Sequence, residues 1–126
     1  MDILRKNLAP IAAPAWDEIN EESRELFESI LSARKFADFE GPGGWELGSI
    51  STGRLNIPKG QKGNLSYGIN EVQPLVEPRA KFKLNIWELD NVARGAEDID
   101  LDSMEKAAHE IAEFEEKAIY YGLDKA

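Results

Sequence analysis

A chain of 126 residues is the size of one domain with a modest core. Its 15 basic and 24 acidic side chains leave a net charge of −9, which opposes general attraction to nucleic acid or to anionic membrane. Cysteine is absent, so disulfide frameworks, zinc-thiolate sites and thiol nucleophiles are excluded together, and the expected compartment is the cytoplasm.

Residues 1–15 read as an irregular arm. Met1, Ile3, Leu4, Leu8 and Ile11 are apolar, but Pro10 and Pro14 interrupt any helix. The stretch "LAPIAAPA" has no sustained apolar run of the secretory kind, and no segment approaches the ~20 apolar residues of a membrane span, so a soluble, unexported protein is expected.

The first helix is predicted over about 15–35, because Trp16, Ile19, Ser23, Leu26, Phe27, Ile30 and Leu31 follow i, i+3, i+4 spacing. Pro14 suits its start, the opposite face is acidic from Asp17 to Glu28, and acidic residues in the first turn with Arg34 and Lys35 in the last are expected to complement the dipole. Helical periodicity then stops in "ARKFADFEGPGGWELG", residues 33–48. Gly41, Gly43 and Gly44 lie after a helix and before extended sequence, with no G-K-[ST], so they lack the setting of a phosphate loop and read as a hinge.

Extended structure is predicted from there to about position 89. "NIPKGQKGN", 56–64, has the turn residues and lysines of an exposed hairpin tip. Pro74 and Pro78 place the next stretch at a sheet edge, and Phe82, Leu84 and Ile86 alternate with Lys81, Lys83 and Asn85 as a half-buried strand does. Residues 89–101 read as a turn-rich connection. A second helix is predicted over about 103–121, with an Asp102/Glu105 capping box, an apolar stripe from Met104 through Ala107, Ala108, Ile111, Phe114 and Ala118 to Tyr121, and Gly122 as its stop.

No catalytic set stands out. The only histidine, His109, lies among glutamates, but Lys106 occupies the position three residues before it where a di-iron Glu-x-x-His motif needs glutamate, and a solvated polar face explains the charge run; no metal site is expected. "GSISTG", 48–53, is not the G-x-S-x-G of a nucleophile elbow. Tyr67, Arg79 and Trp87 have the chemistry to stack a flavin, against the simpler reading that Tyr67 and Trp87 are ordinary packing residues. A small metal- or flavin-binding protein is therefore the alternative from another functional class.

The ordered series "LAP" (8–10), "AW.EI" (15–19), "RKF.D.EGP.GW" (34–45), "YGI" (67–69), "PL.E.R" (74–79), "F.L..WELDN..RG" (82–95) and "AEFE..AI...G" (112–122) resembles the N-terminal part of encapsulins, the shell proteins of bacterial and archaeal nanocompartments once described as linocins or bacteriocins. The resemblance runs over essentially the whole chain and implies an α+β, phage major-capsid-like fold of the Hong Kong 97 type. It implies a division into an N-terminal arm and inner-surface helix (1–40), an extended inter-subunit loop (41–76), and a peripheral-domain strand and spine helix (77–126). Because the resemblance stops short of the axial domain of a complete encapsulin, that domain is expected to be absent.

The function that this resemblance implies is structural and non-enzymatic, with no cofactor. Family members self-assemble as homo-oligomeric icosahedral shells around cargo enzymes, iron-storing ferritin-like proteins or dye-decolourising peroxidases, which carry a C-terminal targeting peptide. The positions similar to the peptide-docking region are Phe27, Ile30, Leu31, Arg34 and Asp38. Because only about the first half of an encapsulin is represented, a fragment, a truncated form or a split subunit completed by a complementary C-terminal polypeptide is expected. Neither nucleic acid nor membrane is an expected partner.

Overall fold

The computed structural model describes residues 8–123, so Met1, Ile3 and Leu4 of the expected arm lie outside the described residues. The described chain is mixed α and β and falls into two compact units, one containing 8–37 and 78–121, the other built on Asp38–Glu77.

The first unit opens with α1, Ala13–Ile30, which carries Pro14 in its first turn, where a missing N–H costs nothing. The helix stops sooner than its periodicity predicts. Leu31 takes ψ 87°, its N–H still bonded to the Phe27 carbonyl at 2.9 Å, and a short 3-10 turn follows at Ala33–Lys35. The expected dipole complementarity is thereby corrected: the first turn of α1 holds no acid, and Arg34 and Lys35 belong to the separate turn. Side-chain bonds from the third helix hold Ser32 and Ala33 at this break, and that tertiary tie overrides the helical preference of the local sequence.

The largest correction falls on 82–101. Residues 81–85 pair with no strand among the described residues, and only Leu84 of the alternating set packs on the core, while Phe82 and Ile86 remain exposed. The chain then forms α2, Ile86–Ala93. Asn85 caps it, its Oδ1 accepting the Trp87 N–H at 2.8 Å, and Gly95, at φ 102°, ends it by donating to the Val92 carbonyl. Leu89 and Val92, three apart on one face, reach the core, which a strand of that length would have split between two faces.

The third helix, α3, spans Asp102–Tyr121. Asp102 stands inside it, so the expected capping box is corrected to a different acid: the Asp100 carboxylate accepts the Asp102 N–H at 3.0 Å, and the Glu105 N–H donates to the Leu101 carbonyl. Met104, Ala107, Ala108 and Ala112 are buried, and the small volumes of the three alanines let α1 pack against α3. The far end of the predicted stripe is not buried, since Tyr121 is 87% exposed. Gly122, at φ 76°, follows the last helical residue.

The core of this unit is small: Ala15, Leu89, Leu101 and Met104, flanked by half-buried Ile11, Ile19, Leu84, Val92 and Ile99.

The second unit is a two-stranded antiparallel hairpin of β1, Ser49–Asn56, and β2, Ile69–Pro74. The register runs from Ser49 opposite Pro74 to Asn56 opposite Ile69, with a bulge between Ser51 and Leu55. Gly53 occupies the bulge at φ 73°, in the left-handed region that favours glycine. The tip is longer than the predicted 56–64 because Gln61 folds it inward: its Nε2 donates to the carbonyls of Pro58 and Tyr67, and its Oε1 accepts the Tyr67 N–H at 2.8 Å. Every residue of both strands is exposed, so neither face of the hairpin is covered.

Candidate functional site

Among the described residues of the first unit, α1 and the turn after it form a groove. On α1, Asn20, Ser23, Arg24, Phe27 and Glu28 recur at three- and four-residue steps and so share a face; with Leu31, Arg34 and Lys35 they line a groove of about 480 Å³. A smaller recess of about 240 Å³ is formed by Phe27, Leu31 and Arg34 together with Ile111, Ala112 and Glu115 of α3. Leu31 is buried and Phe27 half-buried, which makes an apolar floor beneath a charged rim.

The rim is fastened to α3 by a cluster of polar contacts. Arg34 donates through Nε to Glu115 Oε2 at 3.0 Å and through Nη2 to Glu115 Oε1 at 2.6 Å, a two-pronged pair that raises the guanidinium pKa further. One residue on, Glu116 accepts the Ser32 hydroxyl at 2.6 Å and the Ala33 N–H at 3.3 Å. The Ser32 hydroxyl lowers the Glu116 pKa most, against a smaller opposing effect of desolvation; the backbone bonds and the charge of Lys35 lower it further. Tyr120, one turn beyond Glu116, places its hydroxyl 2.9 Å from Ser32 Oγ and its ring 6.4 Å from that of Phe36. On the same helix pair, Glu22 has a raised pKa, chiefly through a side-chain hydrogen bond with Glu105, with burial and repulsion from Glu105 and Glu21 adding.

Of the positions suggested by resemblance, Phe27, Leu31 and Arg34 line the groove together. Ile30 is half-buried at the last position of α1 and is not one of its walls. Asp38 is exposed and begins the second unit. Arg34 carries a duty that the sequence did not disclose, because its guanidinium is held by Glu115. Arg24, Lys35, Glu115, Glu116 and Ser32 were missed; the i, i+4 succession Glu116, Tyr120 on a helix that also buries its alanines was the available signal.

The three residues considered for flavin stacking belong to different units. Tyr67 belongs to the hairpin unit, where its backbone is clamped by Gln61, whereas Arg79 and Trp87 belong to the helical unit, Trp87 standing 75% exposed on α2. His109 lies on α3 with Nδ1 3.4 Å from Glu113 Oε1, both side chains about half exposed. Among the described residues no group of three or more histidine, aspartate or glutamate side chains is gathered as a metal site would require, and no helix is long and apolar enough to cross a membrane.

Comparison with known proteins bears on the whole chain. The family described as encapsulating protein for peroxidase matches residues 1–126. Three relatives are type 1 encapsulin shell proteins. The one from Rhodospirillum rubrum is 42% identical over 98% of this chain and 46% of its own length. That of Brevibacterium linens is 37% identical over 100% and 47%, and that of Mycobacterium tuberculosis 33% identical over 100% and 48%. The chain thus spans about half the length of the curated relatives it matches. With the match extending through all three α-helices, the hairpin and the groove, the chain belongs to the family of encapsulating proteins that includes the type 1 encapsulin shell proteins.

Proposed function

We propose that this chain is the N-terminal half of an encapsulin shell subunit, a structural protein without catalytic activity. The observation that carries this reading is the hairpin: β1 and β2 are exposed on both faces, with Ile50, Leu55, Ile69 and Val72 each about half or more accessible. An isolated two-stranded sheet is marginal in water, and paired strands with uncovered apolar residues are suited to burial against other subunits. In a capsid-like fold of the Hong Kong 97 type, Asp38–Glu77 would act as the extended inter-subunit loop and α3 as the spine helix of the peripheral domain.

The small core of the helical unit supports a requirement for more polypeptide, as a continuation of the subunit or as a complementary C-terminal chain. Assembled icosahedrally, such subunits would enclose a cargo enzyme in the cytoplasm, a peroxidase or an iron-storing ferritin-like protein. The cargo's C-terminal targeting peptide would seat its aliphatic side chains on Phe27 and Leu31 of the α1 groove.

The test is size-exclusion chromatography with light scattering, followed by denaturing mass spectrometry of the same peak, for this chain with and without a complementary C-terminal half. A megadalton particle containing both polypeptides is expected. A small oligomer in both preparations would refute the shell reading, and particles that persist after deletion of residues 48–70 would refute the role given to the hairpin.

A further inference from the structure

We infer that a recess between residues 81–83 and the first half of α3 binds a compact phosphoryl anion, inorganic phosphate or the diphosphate end of a small molecule, through Lys81, Lys83 and Lys106. The chain as a whole carries −9, yet "PRAKFKLNIW", residues 78–87, holds three cations and no acid. The recess measures about 280 Å³, lies within the first unit and shares no lining residue with the α1 groove.

Two pieces of chain build it. Ser103, Lys106, Ala107 and Glu110 stand at i, i+3, i+4 and i+7, so they form one face of α3. Opposite them Lys81, Phe82 and Lys83 belong to the segment that pairs with no strand among the described residues. Phe82 and the buried Ala107 place apolar surface between the charged groups, and apolar walls focus a field on what lies between them.

The charges of this lining do not cancel. Lys106 has Glu110 one turn on and Asp102 one turn back, so its charge is offset along the helix. Lys81 and Lys83 have no acid in that position: the nearest in sequence, Glu77 and Glu88, are not among the lining residues. Among the described residues none of the three lysines makes a salt bridge. Two exposed ammonium groups therefore face the recess without a counter-charge.

The chemistry of these groups selects the occupant. An ammonium is a compact point charge with three donors on a flexible stem, which suits phosphate oxygens. A phosphoryl group carries about −1.5 to −2 near pH 7 on three acceptor oxygens, so it can accept from both ammonium groups and from the Ser103 hydroxyl together. The volume falls just below the roughly 300–1,000 Å³ of sites for drug-sized ligands, which favours a compact anion over an acidic peptide. A nucleic acid would spread its phosphates over the acidic remainder of the chain.

The test is isothermal titration calorimetry of the full chain with sodium diphosphate, inorganic phosphate, ADP and a tetraglutamate peptide. Diphosphate is expected to bind at low salt, and its affinity should fall as salt rises from about 20 to about 300 mM. The variant K81Q/K83Q should weaken diphosphate at least about tenfold, through the loss of two charge-assisted hydrogen bonds, and K106Q by a smaller factor. K59Q/K62Q, which removes the same two charges from the hairpin unit, should leave the affinity within about twofold. ADP binding about as tightly as diphosphate assigns recognition to the phosphoryl groups, and tighter ADP binding identifies a nucleotide as their source. Absence of diphosphate binding, equal weakening by the two double variants, or tetraglutamate binding more tightly than diphosphate overturns the inference. The shell reading does not depend on any of these results.

Discussion

Replacing Leu89 by alanine tests the element that departs most from the sequence expectation. Leu89 is 4% exposed and is the one fully buried side chain of α2, in contact with a cluster that includes Ala15 of α1 and Met104 of α3. Removing a buried leucine side chain to alanine costs about 2–5 kcal/mol, through lost transfer energy and the cavity left behind. The lower half of that range is expected, because this core is thin and bordered by half-buried residues that can relax inward. With a urea dependence of about 1.5 kcal/mol per molar, a loss of about 3 kcal/mol lowers the midpoint by about 2 M. Far-UV circular dichroism during urea titration measures it. Trp87→Phe is the control, since Trp87 is 75% exposed on the same helix and its replacement should change stability by less than about 0.5 kcal/mol. A shift for Leu89→Ala no larger than that of the control would refute the packing of α2 on α1 and α3.

Asn85→Ala should cost about 1 kcal/mol in the same titration, since it leaves the Trp87 N–H without its cap. For Arg34 and Glu115 a double-mutant cycle should return a coupling below about 1 kcal/mol, because both partners are partly exposed and solvent screens them. The Glu116 carboxyl, lowered from 4.5, contributes stability that is present above that value and is lost as pH falls through its folded pKa; Glu116→Gln should reduce the acid sensitivity of unfolding in that window. Glu22 has the opposite sign: its raised pKa favours the fold below 4.5, and that contribution is lost as pH rises through the folded value, so Glu22→Gln should raise the neutral-pH melting temperature. Gln61→Ala should release the hairpin tip and speed proteolysis within 57–68, with no change in cleavage elsewhere.

Much of the local structure was legible from order and spacing alone. The apolar repeat of α1, the alanine-rich stripe of α3 with Gly122 after it, and the glycine, proline and asparagine residues between β1 and β2 are short-range signals, so they could be read without knowledge of any partner. The ordered motifs along the same chain also carried the family, which depends on residue identities rather than on coordinates.

What required tertiary structure were the matters decided between distant residues. Residues 81–86 alternate like a strand, but with no neighbouring strand to pair with among the described residues, the Asn85 cap and the burial of Leu89 and Val92 together favour a helix from Ile86 onward. Likewise, the end of α1 is set by Glu116, some eighty positions away, and Arg34 is held by Glu115 across a comparable distance. Local spacing reports which residues share a face of one helix; it contains no information about which face of another helix will meet it, and so the recess shared with Ile111, Ala112 and Glu115, and the ties of Ser32, Ala33 and Arg34 to α3, emerged only when α1 and α3 were packed together.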